Sequence, residues 1–161
     1  MTAFPAEVLH LFVSPGHNYF GHHGGPAGEH PTLEVGEIHC VAGRGIEGDR
    51  FFGYRPGYPG QVTFFAQEVF DALCENLNIH DKGPGVLRRN IVTRGVDLNE
   101  WIGREFELQG VRFRGVQESK PCYWMEDAFG PGANEAMRGR GGLRAEVLSD
   151  GVLRKSVLVP A

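Results

Sequence analysis

Cys122, in the stretch ESKPCYWMED (residues 118–127), is the side chain whose surroundings point most directly to chemistry. The chain carries three cysteines, and the other two fall into regular apolar patterns. Cys74 lies on the stripe Ala66, Val69, Phe70, Leu73, Cys74 and Leu77, one face of a helix, and Cys40 shares a strand face with Ile38 and Ala42. Both read as small buried hydrophobes. Cys122 instead follows Pro121, which restricts Lys120 to extended geometry, and precedes Tyr123 and Trp124. A thiol where the chain leaves regular structure can stand at a pocket rim. There the charge of Lys120 would favour the thiolate, the form that acts as nucleophile and metal ligand. The same residues equally describe a half-buried thiol packed on the two aromatics.

A second group suits anions. Arg88, Arg89 and Asn90 stand together in VLRRNIV, and guanidinium groups recognise phosphate in a bidentate manner that lysine does not match. Strand alternation would turn only one of the two arginines inward. The plain reading is an edge strand whose outward arginines deter aggregation. Gly48-Asp49-Arg50 is either a ligand loop or an ordinary solvated turn. The segment 15–31 holds His17, His22, His23 and His30 with Glu29, residue types that bind zinc-like metals. Neighbouring histidines among glycines lack the spacing of a rigid site, so this segment reads as a mobile surface loop or a lid.

These residues need elements to hold them. Residues 6–14 and 33–42 are strand candidates, the second bent at Gly36; 43–60 is a long glycine-punctuated loop and 61–65 a short strand. Residues 66–77 give the one firm helix, with Glu68 suiting the positive end of its dipole. A strand over 89–95 and a helical turn follow. The period-two pattern over 104–117 predicts a hairpin at Gln109-Gly110; 123–138 is irregular or briefly helical, and 143–159 is a second hairpin turning at Asp150-Gly151. Seven to nine strands with many glycine turns predict a mainly β fold in a single domain over 1–161. The expected form is a small β-barrel with short peripheral helices, a sandwich being the alternative.

Composition narrows the function. A net charge of −4 gives a nucleic-acid partner no global support, and no run is long enough to span a membrane. The start MTAFPAEVLH has neither the basic region nor the apolar core of a signal peptide, and three widely spaced cysteines form no disulfide framework. A cytoplasmic protein is expected.

The stretch LRRNIVTRGVDLNEWIGREFELQGVRFRGVQESKPCYWME resembles the MOSC domain, named for the C-terminal domain of molybdenum cofactor sulfurases. GIEGDRFFG (45–53) is similar to the family's Gly-x-x-Gly-Asp-Arg loop. RRNIVTRGVDLNEWIGREFEL (88–108) is similar to its Arg-x-Asn-Ile strand, Gly-x-Asp-Leu turn and following strand, and KPC (120–122) to its cysteine after a hairpin. The likeness covers 33–159. It implies a β-barrel whose pocket cysteine, Cys122, ligates molybdenum of a molybdenum cofactor or carries sulfur. It also implies cofactor contacts from Arg88, Asn90, Asp49 and Arg50, and Lys120 beside the cysteine joins this set. The implied function is a molybdenum-dependent oxidoreductase or a sulfur carrier served by a sulfur-donor or redox partner protein. No lysine context suggests that the chain could generate sulfur itself. The competing class is a non-catalytic β-barrel module binding an anionic small molecule. Two departures stand out: segment 15–31 lies outside the general pattern and suggests a subfamily lid, and LRKSV replaces the Gly-Asp common in the last strand pair.

Overall fold

A computed structural model describes residues 2–3 and 6–156. Its strands are β1 (Thr2–Ala3), β2 (Glu7–Val13), β3 (Leu33–Glu34), β4 (Glu37–Val41), β5 (Gly45–Ile46), β6 (Val62–Ala66), β7 (Ile91–Arg94), β8 (Glu105–Leu108), β9 (Val111–Glu118), β10 (Leu143–Val147) and β11 (Gly151–Arg154). The helices are α1 (Gln67–Leu77), α2 (Trp124–Ala128) and α3 (Ala133–Ala136), with single 3-10 turns at Pro84–Leu87 and Leu98–Trp101. The fold is mainly β, with α1 as its one firm helix.

The hairpin β8–β9 forms as its sequence predicts. Gln109 and Gly110 have φ of 50° and 83°, the pair of left-handed residues that a tight two-residue turn needs. Its alternation turns Phe106, Leu108, Val111 and Phe113 into the core. β9 then pairs with β10 and β10 with β6, while β6 runs parallel to β7 across α1, as a parallel pair requires a crossover. The full order is β1-β8-β9-β10-β6-β7-β2-β3, and a second sheet has the order β11-β4-β5.

Three expectations are corrected. The large sheet does not close on itself among the described residues, so the closed barrel is replaced by an eight-stranded and a three-stranded sheet. Alternation reports which face of a strand is buried, and both architectures bury the same faces. The segment 33–42 is two strands in different sheets, β3 on β2 and β4 on β5 and β11, parted at Val35-Gly36. The segment 143–159, described as far as Ser156, is not a hairpin: β10 and β11 join different sheets. The connection between them is tied elsewhere, Asp150 Oδ1 accepting from Ala42 N and Ser149 Oγ from Arg112 N, which steers β11 toward β4.

β6 separates two cores. Phe64 packs edge-on against Trp101, Phe106 and Phe113 on one face, and Phe65 on the other meets Phe70, Leu73, Leu87, Trp124 and Phe129 under the helices. Gly115 is needed where Trp101 crosses β9, because a Cβ there would run into the Trp101 carbonyl. Far apart in sequence, Val8 and Ser156 are joined by two hydrogen bonds, Val8 N to Ser156 Oγ at 2.9 Å and Ser156 N to Val8 O at 2.7 Å. No helix among the described residues is long and apolar enough to cross a membrane.

Candidate functional site

The Gly-Asp-Arg loop and the Arg-Arg-Asn segment meet in space through Asp49 and Asn90. The Asp49 side chain is fully enclosed, and its Oδ1 accepts from Ser14 N at 3.0 Å, Asn90 Nδ2 at 3.2 Å and Arg50 Nη1 at 3.3 Å. Its Oδ2 accepts from Phe51 N at 3.3 Å. Asn90 also donates to Phe12 O at 3.1 Å, and its Oδ1 accepts from Thr63 N and Thr63 Oγ1. Asp49 and Asn90 thus form a satisfied buried network that ties β2, β6 and the loop after β5 together. Neither lines the cavity above it.

Strand alternation does not govern Arg88 and Arg89, because β7 begins only at Ile91. Arg88 ends the 3-10 turn with a left-handed φ of 59°, and both arginines line the same cavity. The expectation that only one would face inward is corrected on that ground. The Arg88 guanidinium is buried and donates to His30 O, Thr32 Oγ1, Ser14 Oγ and Gly16 O. All four acceptors bracket the histidine-rich segment, so Arg88 is its anchor. Arg89 donates to Gly141 O at 3.1 Å, Leu87 O at 3.0 Å and Ser119 O at 3.2 Å. Carbonyls satisfy these donors without neutralising the charge.

The cavity measures about 160 Å³. Asn18, Tyr19, Phe20 and His23 of the histidine-rich segment roof it, with Tyr19 stacked on Trp124 at 5.0 Å between ring centroids. Arg50, Arg88, Arg89, Lys120 and Arg144 line it together with half-buried Cys122, and among the described residues no acidic side chain does. Burial and the neighbouring Arg144 and Arg50 charges push the Arg89 pKa down to about 10. Burial and Arg50 do the same for Arg88, also to about 10. Both stay charged at neutral pH, so the walls are crowded with cations. Burial first and Arg50 second lower the His17 pKa, which favours its neutral form.

The residues singled out from the sequence therefore divide. Arg50, Arg88, Lys120 and Cys122 converge on the cavity, while Asp49 and Asn90 support it from below. Sequence reasoning missed Arg144, which faces the cavity from β10, and Ser14, whose role depends on contacts across the fold. Trp124 is both core and wall: it is 3% exposed and lines the cavity. The histidines are not gathered: His17 packs on Phe20 and Phe51, and His23 on Tyr123. No group of three or more His, Cys, Asp or Glu with metal-site geometry occurs among the described residues. A larger cavity of about 520 Å³ lies beside α1, with Ala66, Val69, Val96 and Leu98 in its walls. Among the described residues its walls hold no thiol, and Arg140 is their only cation.

The thiols should separate chemically. Cys40 is 2% exposed and burial pushes its pKa up to about 12, so it is neither accessible nor ionised at neutral pH. Mass spectrometry of native protein alkylated with iodoacetamide near pH 8 should show modification at Cys122 and none at Cys40 until the chain is unfolded. Equal labelling of the two would contradict the packing of β4.

The chain matches the MOSC domain over residues 19–156 and belongs to that family. Among solved structures, it is similar to the YuaD protein from Bacillus subtilis, with a TM-score of 0.68 at 18% identity, covering 93% of this chain and 91% of that one. YiiM from Geobacillus stearothermophilus is also similar, with a TM-score of 0.66 at 16% identity over 93% of this chain and 71% of that one. For YiiM from Escherichia coli the TM-score is 0.60 at 17% identity, over 94% of this chain and 65% of that one. At these identities the likeness is one of fold. No curated protein matches the sequence.

Proposed function

We infer that the protein binds molybdenum cofactor in the cationic cavity, with Cys122 as the metal-ligating thiol. One observation carries this reading: a half-buried cysteine shares a cavity with five cationic side chains and no acidic one. The donor set fits the group. A thiolate suits the metal, arginines suit the phosphate, and Asn18, Thr63 and Ser119 offer polar atoms to a pterin edge. The space fits only once the roof withdraws, since about 160 Å³ is below the roughly 300–1,000 Å³ of sites for ligands of this kind. Segment 15–31 is then the lid, and Arg88 its latch. When bound, the cofactor would supply oxygen-atom transfer coupled to two-electron redox chemistry. The chain's own residues would hold it: Cys122 at the metal, and Arg50, Arg89, Lys120 and Arg144 at the anionic groups, with Asp49 and Asn90 fixing Arg50 from beneath. Turnover would require an external electron-donor protein. The free cysteines suit a reducing, cytoplasmic setting.

The small size of the cavity favours a second reading, in which Cys122 carries sulfur as a persulfide delivered by a donor protein. A single added sulfur atom needs no movement of the roof.

Metal analysis of wild type and Cys122→Ala, purified from cells that make the cofactor, separates these readings. Near-stoichiometric molybdenum in wild type alone is expected. Molybdenum in neither protein would sink the cofactor reading, and a mass increase of one sulfur on Cys122 would then support the relay.

A further inference from the structure

The cavity of about 520 Å³ beside α1 shares no lining residue with the cationic one. We propose that it is a second binding site, for a small zwitterion with an apolar body, the chemistry of an apolar amino acid or of a short apolar peptide with free ends. This does not rest on the cofactor reading, on Cys122 or on segment 15–31.

Three observations converge. The volume lies within the roughly 300–1,000 Å³ of small-molecule sites, which are mostly apolar with a few placed polar groups. The apolar part is here: Ala66 and Leu98 are buried in the wall, and Val69 and Val96 half-buried. The polar part is three charges of both signs, Glu68, Asp97 and Arg140. Among the described residues no ion pair joins them, although they line one cavity. Each is instead tied to the backbone by one atom. Glu68 Oε2 accepts from Gly95 N at 2.8 Å, Asp97 Oδ1 accepts from Asn99 N at 3.0 Å, and Arg140 Nε donates to Ala136 O at 2.9 Å. The second oxygen of each carboxylate and both terminal nitrogens of Arg140 meet no partner among the described residues. The backbone bonds thus hold the charges in place and apart, with their other atoms open to a ligand. A ligand ammonium would meet the open oxygens of Glu68 and Asp97, and a ligand carboxylate the fork of Arg140. A ligand of one sign would face an unmatched wall charge: a plain acid meets two carboxylates, and a plain amine meets the guanidinium. The apolar body would cover Val69, Val96 and Leu98.

The probes are L-phenylalanine and the dipeptide leucyl-phenylalanine, titrated separately into the full chain by calorimetry. Phenethylamine and 3-phenylpropionate, which each keep the ring and one of the two charges, are the controls. Saturable binding by at least one zwitterion is expected, and which of the two binds tighter separates a free amino acid from a peptide. Each control should bind at least ten times more weakly. Glu68→Gln removes the charge but can still accept from Gly95 N, and should weaken zwitterion binding about tenfold, or about 1.4 kcal/mol. Arg140→Met should weaken it similarly. Circular dichroism checks that each variant folds, and Glu68→Gln carries the test if Arg140→Met does not. Cys122→Ala should bind like wild type, which keeps this site separate from the cationic cavity. Absence of saturable binding by both zwitterions would overturn the proposal. So would a control that binds as tightly as they do, or an affinity unchanged by Glu68→Gln. Metal content of the wild type has no bearing on these outcomes, so the two readings fail independently.

Discussion

Asp49→Ala should lower the unfolding free energy by about 3–5 kcal/mol, the loss typical of breaking a buried charged network. Asp49 alone accepts from Ser14 N, Asn90 Nδ2, Arg50 Nη1 and Phe51 N, and its side chain is wholly enclosed. Alanine leaves those donors buried without an acceptor and Arg50 without its carboxylate. The separate losses do not add, because water can enter the vacated space. For a chain of this size the melting temperature should fall by roughly 10 °C. Asp49→Asn keeps one acceptor oxygen and should cost less than half as much. Urea and thermal unfolding of the three proteins measure this directly. A loss under about 1 kcal/mol for alanine would show that the network is dispensable and that Asp49 has another role.

Arg88→Met should release the histidine-rich segment while leaving the rest of the fold intact. The guanidinium contacts Ser14, Gly16, His30 and Thr32, the two ends of the roof, and methionine retains the apolar stem without any donor. Chymotrypsin should then cut at Tyr19 or Phe20 at least ten times faster than in wild type, with the fragments identified by mass. Global stability should fall by about 2–3 kcal/mol, since charge-assisted hydrogen bonds are lost at a buried site. Arg88→Lys keeps the charge but cannot reach four acceptors at once, so it should fall between the two. Unchanged cleavage in the methionine variant would mean that Tyr19 on Trp124 and the loop's own contacts close the roof unaided. Arg88 would then be free to serve a ligand.

Local structure was legible wherever one residue pair or one periodicity decided it. The helix stripe from Val69 to Leu77 and the Gln109-Gly110 turn are such cases, as is the singular setting of Cys122. Pairings between distant strands were not, because β10 and β11 each carry a pattern compatible with a hairpin, and only tertiary bonds from Asp150 and Ser149 send them apart. Barrel closure is the same kind of question. At the site, the residue types were readable but their division of labour was not. Asp49 and Asn90 look as polar as any ligand group, yet their partners come from β2, from Ser14 just after it and from β6, far away in sequence. The rule that only one of Arg88 and Arg89 can face inward fails because it is applied just before the strand begins.

The pair of bonds between Val8 and Ser156 has a consequence for how the molecule is made. β2 sits inside the large sheet between β7 and β3, yet the backbone of Val8 near its start is bonded by Ser156, 148 positions later. On the ribosome, the early strand emerges long before its last partner exists. Contacts of such long sequence separation slow folding, and a nascent chain held short of them exposes unpaired strand. Docking of β2 should therefore be completed only once residue 156 is free to fold, and until then the partner groups of Val8 stay exposed to aggregation.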